Sequence, residues 1–231
     1  SQEDLKRWER MINQPNGIIL VTGPTGSGKT TTLYSTLREL ATDEVNVSTI
    51  EDPIEMVEPA FNQMQIQHGI DLDFATGIMA TQAALTGHLV LSTLHTNDAP
   101  SAITRLMELG IPPYLIRATV IGVMAQRLVR TLCAECKTPI DIQEEDWKML
   151  TRPWSTPLPK QAHQPVGCLA CRNTGYRGRA GVYEIMPLSE NLKEHINEQG
   201  QLTDLRKNAI KEGMHSLRLS GANKVAKGQT T

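Results

Sequence analysis

The run Gly23-Pro24-Thr25-Gly26-Ser27-Gly28-Lys29-Thr30 has the spacing G-x-x-x-x-G-K-[ST], a pattern suited to holding a phosphate chain. Its glycines let backbone N–H groups curl around an anion at the positive end of a helix. Lys29 can reach the β- and γ-phosphates of a nucleotide, and the Thr30 hydroxyl, with Thr31 next to it, can ligate Mg²⁺. A chance Gly/Ser turn is the alternative, but an apolar strand pattern precedes the loop and a helical one follows it. The motif specifies nucleotide binding and leaves open what work the nucleotide drives.

Thr49-Ile50-Glu51-Asp52-Pro53-Ile54-Glu55 puts carboxylates at the end of a second strand, the edge of a parallel sheet where ligands bind. Glu51 can orient or deprotonate an attacking water, with Asp52 or Glu55 tuning a metal shell. A solvated turn stopped by proline accounts for the same residues. His88 and His95 bracket a third apolar run, and a histidine at a strand end can sense a γ-phosphate, pair with a carboxylate, or be structural. His68, His163, His195 and His215 show no partner pattern and read as surface residues.

Cys133-Ala134-Glu135-Cys136 and Cys168-Leu169-Ala170-Cys171 repeat C-x-x-C. Two such pairs allow four thiolates to converge tetrahedrally on Zn²⁺. A redox pair and two disulfides are the alternatives. No thioredoxin-like strand and helix context precedes either pair, and no secretory signal opens the chain. Residues 137–167 between the pairs read as an independent excursion.

These groups need a scaffold. Leu5, Trp8 and Ile12 recur at helical spacing behind acidic residues. Gly17 to Thr22 is a buried-strand run, and Thr30 to Leu40 reads as a helix. Val45 to Ile50 reads as a strand, Met64 to Ile66 as a short one, and His88 to Thr93 as another. Strand, loop, helix, strand predicts an α/β fold with a parallel sheet. Phe74 to Leu85 has helical character. Asp98 and Pro100 suit the cap and first turn of a helix holding Ile103, Leu106 and Met107. Tyr114 to Val129, apolar nearly all round, reads as a buried helix. Composition then shifts, giving an expected core over 1–130, a loop-rich cysteine lobe over 131–185 and a C-terminal segment of short surface helices over 186–231.

The 231 residues carry 23 Lys+Arg and 25 Asp+Glu with 4% aromatics. That balance lacks the basic footprint of a duplex-DNA binder, and few rings are available to stack on bases. No apolar run approaches the ~20 residues that span a bilayer. Opening on Ser1 and closing in a polar tail, the chain reads as a fragment.

The phosphate loop, the acidic box and the run Gln82-Ala83-Ala84-Leu85-Thr86-Gly87-His88-Leu89-Val90-Leu91-Ser92-Thr93-Leu94-His95-Thr96-Asn97 together resemble the type II secretion and type IV pilus assembly ATPases, the GspE/PilB-like family. Ala125 to Cys133 and Gly175 to Arg179 extend the resemblance over nearly the whole chain. It implies a RecA-like P-loop NTPase core with a small tetracysteine zinc lobe and a C-terminal helical segment. It further implies a homo-hexamer hydrolysing ATP with Mg²⁺ in the cytoplasm, at the inner membrane through a platform protein; the charge balance and scarce aromatics speak separately for no nucleic acid partner. On the matching positions, Lys29 and Thr30 serve the nucleotide within the loop Gly23 to Thr31. Glu51 serves water activation, and His88 and His95 the γ-phosphate. Arg127 and Arg130 serve nucleotide or neighbouring-subunit contact, or simple surface ion pairs. The zinc lobe favours extending over retracting motors. A non-hydrolysing zinc-bearing scaffold and a RecA-like nucleic-acid translocase are the other readings.

One element of the pattern is missing. Such ATPases need a hydrophobic strand ending in an acidic pair for Mg²⁺ and the lytic water. The resemblance places it before the helix holding Gln82, yet Phe74 to Ile78 runs straight into Met79 to Gln82. On the order of two dozen residues, one helix plus one strand, are lacking. A break in the chain at Ile78–Met79 is expected to show as a step much longer than ~3.8 Å; an ordinary step there implies a dead enzyme.

Overall fold

Gly17–Thr22 (β1) is buried at every position, as an apolar run must be when both faces of a parallel sheet are covered. The computed structural model describes residues 2–41, 48–51, 54, 56–59, 62–65 and 82–231. Residues 78 and 79, and with them the expected long step, lie outside these. So do Asp52, Pro53 and Glu55, and all of the expected 74–85 helix except 82–85, which is helical.

Ahead of β1, Gln2–Ile12 (α1) buries Asp4, Trp8, Met11 and Ile12. After it come Lys29–Leu40 (α2), Ser48–Glu51 (β2), Asn62–Gln65 (β3) and Leu89–Leu94 (β4). Ala99–Glu108 (α3) follows, and Asp98 caps it by accepting the Ser101 N–H at 2.9 Å. Pro100 occupies the first turn, where a missing N–H costs nothing.

Pro113–Thr119 (α4) then gives way to Val120–Leu132 (β5). The long buried helix expected over 114–129 is therefore a short helix and a long strand. Periodicity cannot separate the two when every face is apolar, and the β-branched Val120, Ile121 and Val123 favour the strand. Gly122 is needed there: a Cβ would lie 2.8 Å from both the Met11 methyl carbon and the Met186 carbonyl oxygen.

Thr138–Ile140 (β6), Glu144–Thr151 (α5), Ala162–Gln164 (β7), a short 3-10 turn at Leu169–Cys171, Tyr176–Pro187 (β8), Glu190–Glu194 (α6), Leu202–Lys211 (α7) and Leu217–Ala226 (α8) follow. The strand order is β3-β2-β4-β1-β5-β8, with β6 and β7 forming a separate antiparallel pair. β1 runs parallel to β4, from Gly17 opposite Leu89 to Thr22 opposite Leu94. On its other side it runs parallel to β5, where Thr22 faces Ala125. β2 is parallel to β3 along its length and meets β4 at Thr49 and Leu91.

The chain forms two compact units, residues 1–126 with 184–214, and 127–183 with 215–231. The boundaries expected at 130/131 and 185/186 fall beside these, while the C-terminal helical segment is shared out between the units. In the first unit Leu192, Ile196, Leu205 and Ala209 are buried. The helices expected on the surface thus bury an apolar face. Among the described residues, no helix is long and apolar enough to cross a membrane.

Candidate functional site

The phosphate loop begins where β1 stops. Gly23 has φ 149° and Gly28, at the head of α2, has φ 85°, backbone angles that side-chain-bearing residues rarely adopt. The loop closes on itself through Ser27 N–H donating to the Pro24 carbonyl at 3.2 Å. Lys29 is 9% exposed, and its ammonium donates to the carbonyls of Gly23 at 2.9 Å and Pro24 at 3.2 Å. Its charge is thus held inside the curve of the loop, at the positive end of α2, where an anionic phosphate is stabilised.

Two neighbouring strands fix this loop. On β4, Gly23 N–H donates to the Leu94 carbonyl at 3.3 Å. The buried Thr22 hydroxyl lies 2.7 Å from that of Thr96 and accepts the Thr96 N–H at 2.8 Å. This cluster ties the segment after β4 to the last residue of β1. On β5, the Gln126 side chain donates to the Ser27 carbonyl and accepts from the Thr32 hydroxyl, both at 2.9 Å.

The parallel register sorts the expected catalytic residues. His95 follows Leu94, the partner of Thr22, so it lies at the strand edge that carries the phosphate loop; it is exposed. His88 precedes β4 at the other edge, where its carbonyl accepts the Gly17 N–H at 3.0 Å. Seven steps along the strand, about 23 Å at ~3.3 Å each, separate it from His95. Its ring meets the Ala83 carbonyl at 3.2 Å and the Thr86 hydroxyl at 3.3 Å. His88 thus lies at the strand edge away from the phosphate loop, and His95 at the edge that carries it. Glu51 ends β2, two residues beyond Thr49, which places its backbone towards the phosphate-loop edge.

Sequence reading missed Thr22, Thr96 and Gln126. A threonine ending an apolar strand and a glutamine inside another were the available signals, since a polar group in a buried run must find a partner.

In the second unit, Arg127 is partly buried and engaged with neighbouring groups. The Arg130 guanidinium stacks 3.8 Å from the Tyr176 ring centre, a cation–π contact that gives it a structural task. Cys133, Cys136, Cys168 and Cys171 converge with all sulfurs within 4.8 Å of one another. The distances are 3.9 Å for Cys133–Cys168, 3.8 Å for Cys136–Cys171 and 3.7 Å for Cys168–Cys171. A tetrahedron with ~2.3 Å metal–sulfur bonds has edges of about 3.8 Å. All four are free thiols, so the donor set and its spacing fit a metal such as zinc. Gly167 N–H donates to the Cys136 sulfur at 3.3 Å, and the N–H groups of Cys168 and Gly175 donate to the Cys171 sulfur at 3.2 Å. Burial works against ionising Cys171, but those two N–H donors and the neighbouring thiols outweigh it and bring the thiol down to about 6.

A parallel sheet with a glycine-rich phosphate loop between its first strand and the next helix defines a P-loop NTPase core. Solved structures share the fold. The Legionella pneumophila ATPase DotB matches with a TM-score of 0.65 at 20% identity, covering 98% of this chain and 60% of that one. The pilus retraction motor PilT with bound ADP matches with a TM-score of 0.59 at 23% identity, covering 96% and 61%. The chain belongs to the family described as Type II/IV secretion system protein, which matches residues 1–81 and 76–231.

The type IV pilus assembly ATPase TfpB of Acinetobacter baylyi is 52% identical over 250 residues, covering 98% of this chain and 43% of the relative. The type II secretion system protein E of Aeromonas hydrophila is 42% identical over 245 residues, covering 96% and 48%. The chain spans about half the length of these relatives. Since 98% of 231 residues is about 226, the 250-residue alignment with TfpB leaves about two dozen positions with no residue of this chain opposite them.

Proposed function

We propose that the chain is the ATP-hydrolysing part of a motor for type IV pilus or type II secretion pseudopilus assembly. The observation that carries this is the shaped phosphate loop, with Lys29 inside it and the His95 segment tied to its root by Thr22 and Thr96. The relatives named as pilus assembly and secretion ATPases support the same reading. In it, loop N–H groups and Lys29 bind the β- and γ-phosphates, and the Thr30 hydroxyl takes Mg²⁺, which neutralises charge on the phosphates. Glu51 orients the attacking water and His95 senses the γ-phosphate. The four cysteines hold zinc as a structural ion, supplying folding free energy to their lobe. The working form is a homo-hexamer on the cytoplasmic side of the inner membrane, attached through a platform protein.

A second reading, a subunit that binds ATP without turning it over, has its own support. The family matches the chain in two pieces that meet at 76–81, where the expected acidic strand is lacking, and the TfpB alignment leaves about two dozen positions unfilled. A segment missing from the written sequence accounts for both facts as well, because the strands on either side still form one sheet. Steady-state ATPase assays on the protein from its complete coding sequence, beside Lys29→Ala, decide between them. Turnover that rises with oligomerisation and vanishes in the variant supports the motor. Nucleotide binding without turnover supports the scaffold, and an absence of ATP and ADP binding rejects both. Mass mapping of the peptide containing Ile78 shows whether Met79 follows it.

A further inference from the structure

A phosphate loop works only if its N–H groups face the anion. A peptide unit is planar and trans, so the carbonyl of one residue and the N–H of the next point in opposite directions. Fixing a loop carbonyl against the body of the protein therefore aims the following N–H the other way. The Ser27 carbonyl is fixed in this manner by the Gln126 side chain, at 2.9 Å. The other end of that amide is held by the Thr32 hydroxyl of α2, also at 2.9 Å. Gln126 is 2% exposed, so water cannot replace either partner. Its own carbonyl fills the space beside Gly23, 2.3 Å from where a Cβ would stand. One residue of β5 thus braces the start of the loop, its middle and the helix behind it.

We propose that Gln126 is a positioning residue for nucleotide binding: it orients the Ser27–Gly28 peptide so that the Gly28 N–H points at the phosphates. This rests on the nucleotide-binding reading above. The Thr32 hydroxyl keeps the amide from turning over, because it donates to Oε1 and leaves Nε2 for Ser27. Without the brace the Ser27–Gly28 peptide can flip, since Gly28 tolerates either orientation. The loop would then offer a carbonyl oxygen to an anion.

The test is calorimetric titration of the protein from its complete coding sequence with MgADP, together with ¹⁵N-glycine NMR of the loop amides. Four forms are compared: wild type, Gln126→Met, Thr32→Val and Ile103→Val. Methionine keeps the length of glutamine and removes both bonds. Gln126→Met is expected to lose ~10-fold or more in ADP affinity, because a buried bond to the loop is left unmade. Its Gly28 amide is expected to stop responding to ADP. Thr32→Val, which loosens the brace and keeps Nε2, is expected to lose ~3-fold by the same reasoning. Ile103→Val, a core truncation elsewhere, is expected to lower Tm and leave ADP affinity unchanged. A folded Gln126→Met or Thr32→Val within twofold of wild type overturns the proposal. Equal losses in Ile103→Val overturn it too, since the effect would then follow stability alone. If Gln126→Met does not fold, Thr32→Val decides. A wild-type chain that ignores ADP removes the nucleotide-binding reading and this inference with it, whereas wild-type binding with indifferent variants removes only the inference.

Discussion

Substituting Gly23 and Gly26 by alanine separates two effects that a sequence motif treats as one. Both glycines have positive φ, 149° and 74°; the left-handed region of Gly26 costs a side-chain-bearing residue about 1–2 kcal/mol, and the more extended positive φ of Gly23, populated by glycine almost alone, costs no less. Their surroundings differ. A Cβ on Gly26 meets nothing within 4 Å, whereas one on Gly23 stands 2.3 Å from the Gln126 carbonyl oxygen and 2.8 Å from the Ser27 hydroxyl. The first of these is backbone next to the paired end of β1 and cannot swing away, so the loop or β5 must shift. Overpacking of that kind adds about 1–3 kcal/mol. Gly23→Ala is therefore expected to cost ~2–5 kcal/mol in all, and Gly26→Ala only the ~1–2 kcal/mol of its backbone term. For a chain of this size the difference amounts to several degrees in Tm. Thermal unfolding followed by circular dichroism measures it, with MgADP titration alongside. Equal Tm losses in the two variants refute the steric argument and leave only the positive φ.

Other outcomes follow from the same geometry. Cys136→Ser is expected to reduce bound zinc from about one ion per chain to almost none, with native mass spectrometry as the readout; an unchanged ion count removes the tetracysteine assignment. Acidification is expected to release the metal, because protons compete for thiolates. Release is followed with a chromogenic chelator, and metal occupancy that does not fall with pH would remove the thiolate assignment. Asp98→Ala removes the cap of α3 and the partner of Arg206, which lies 2.6 Å away. That is expected to cost about 1–2 kcal/mol by urea unfolding, most of it from the cap, because Arg206 is 43% exposed and its ion pair is screened. Thr22→Val removes the hydroxyl shared with Thr96 while keeping its shape. It is expected to lower turnover more than ADP affinity, since it frees the His95 segment rather than the loop; equal losses in the two would place Thr22 with the loop instead.

The phosphate loop, β1, α2 and the capped helix after Asp98 were legible because each depends on local chemistry: glycine conformations, helix caps and short apolar runs. The cysteine cluster was legible for a similar reason, since C-x-x-C spacing fixes half of a tetrahedron before any fold is known. Tyr114 to Val129 was not, because an all-apolar segment carries no period and only its neighbours β1 and β8 settle its form. The placement of His88 was not legible for a topological reason. His88 and His95 bracket one strand symmetrically in sequence, and only the parallel register against β1 shows that they occupy opposite edges. Thr22, Thr96 and Gln126 act through partners as many as 99 residues away, a distance across which spacing says nothing.

Lys29 gives its charge to the carbonyls of Gly23 and Pro24, oxygens of the same loop it completes. An incoming phosphate must therefore compete with protein oxygens already in place, and it gains only the difference between two well-made sets of hydrogen bonds. Selectivity follows from that exchange. On the nucleotide-binding reading, a singly charged anion offers little over a pair of carbonyls, while a polyphosphate offers several charged oxygens at once.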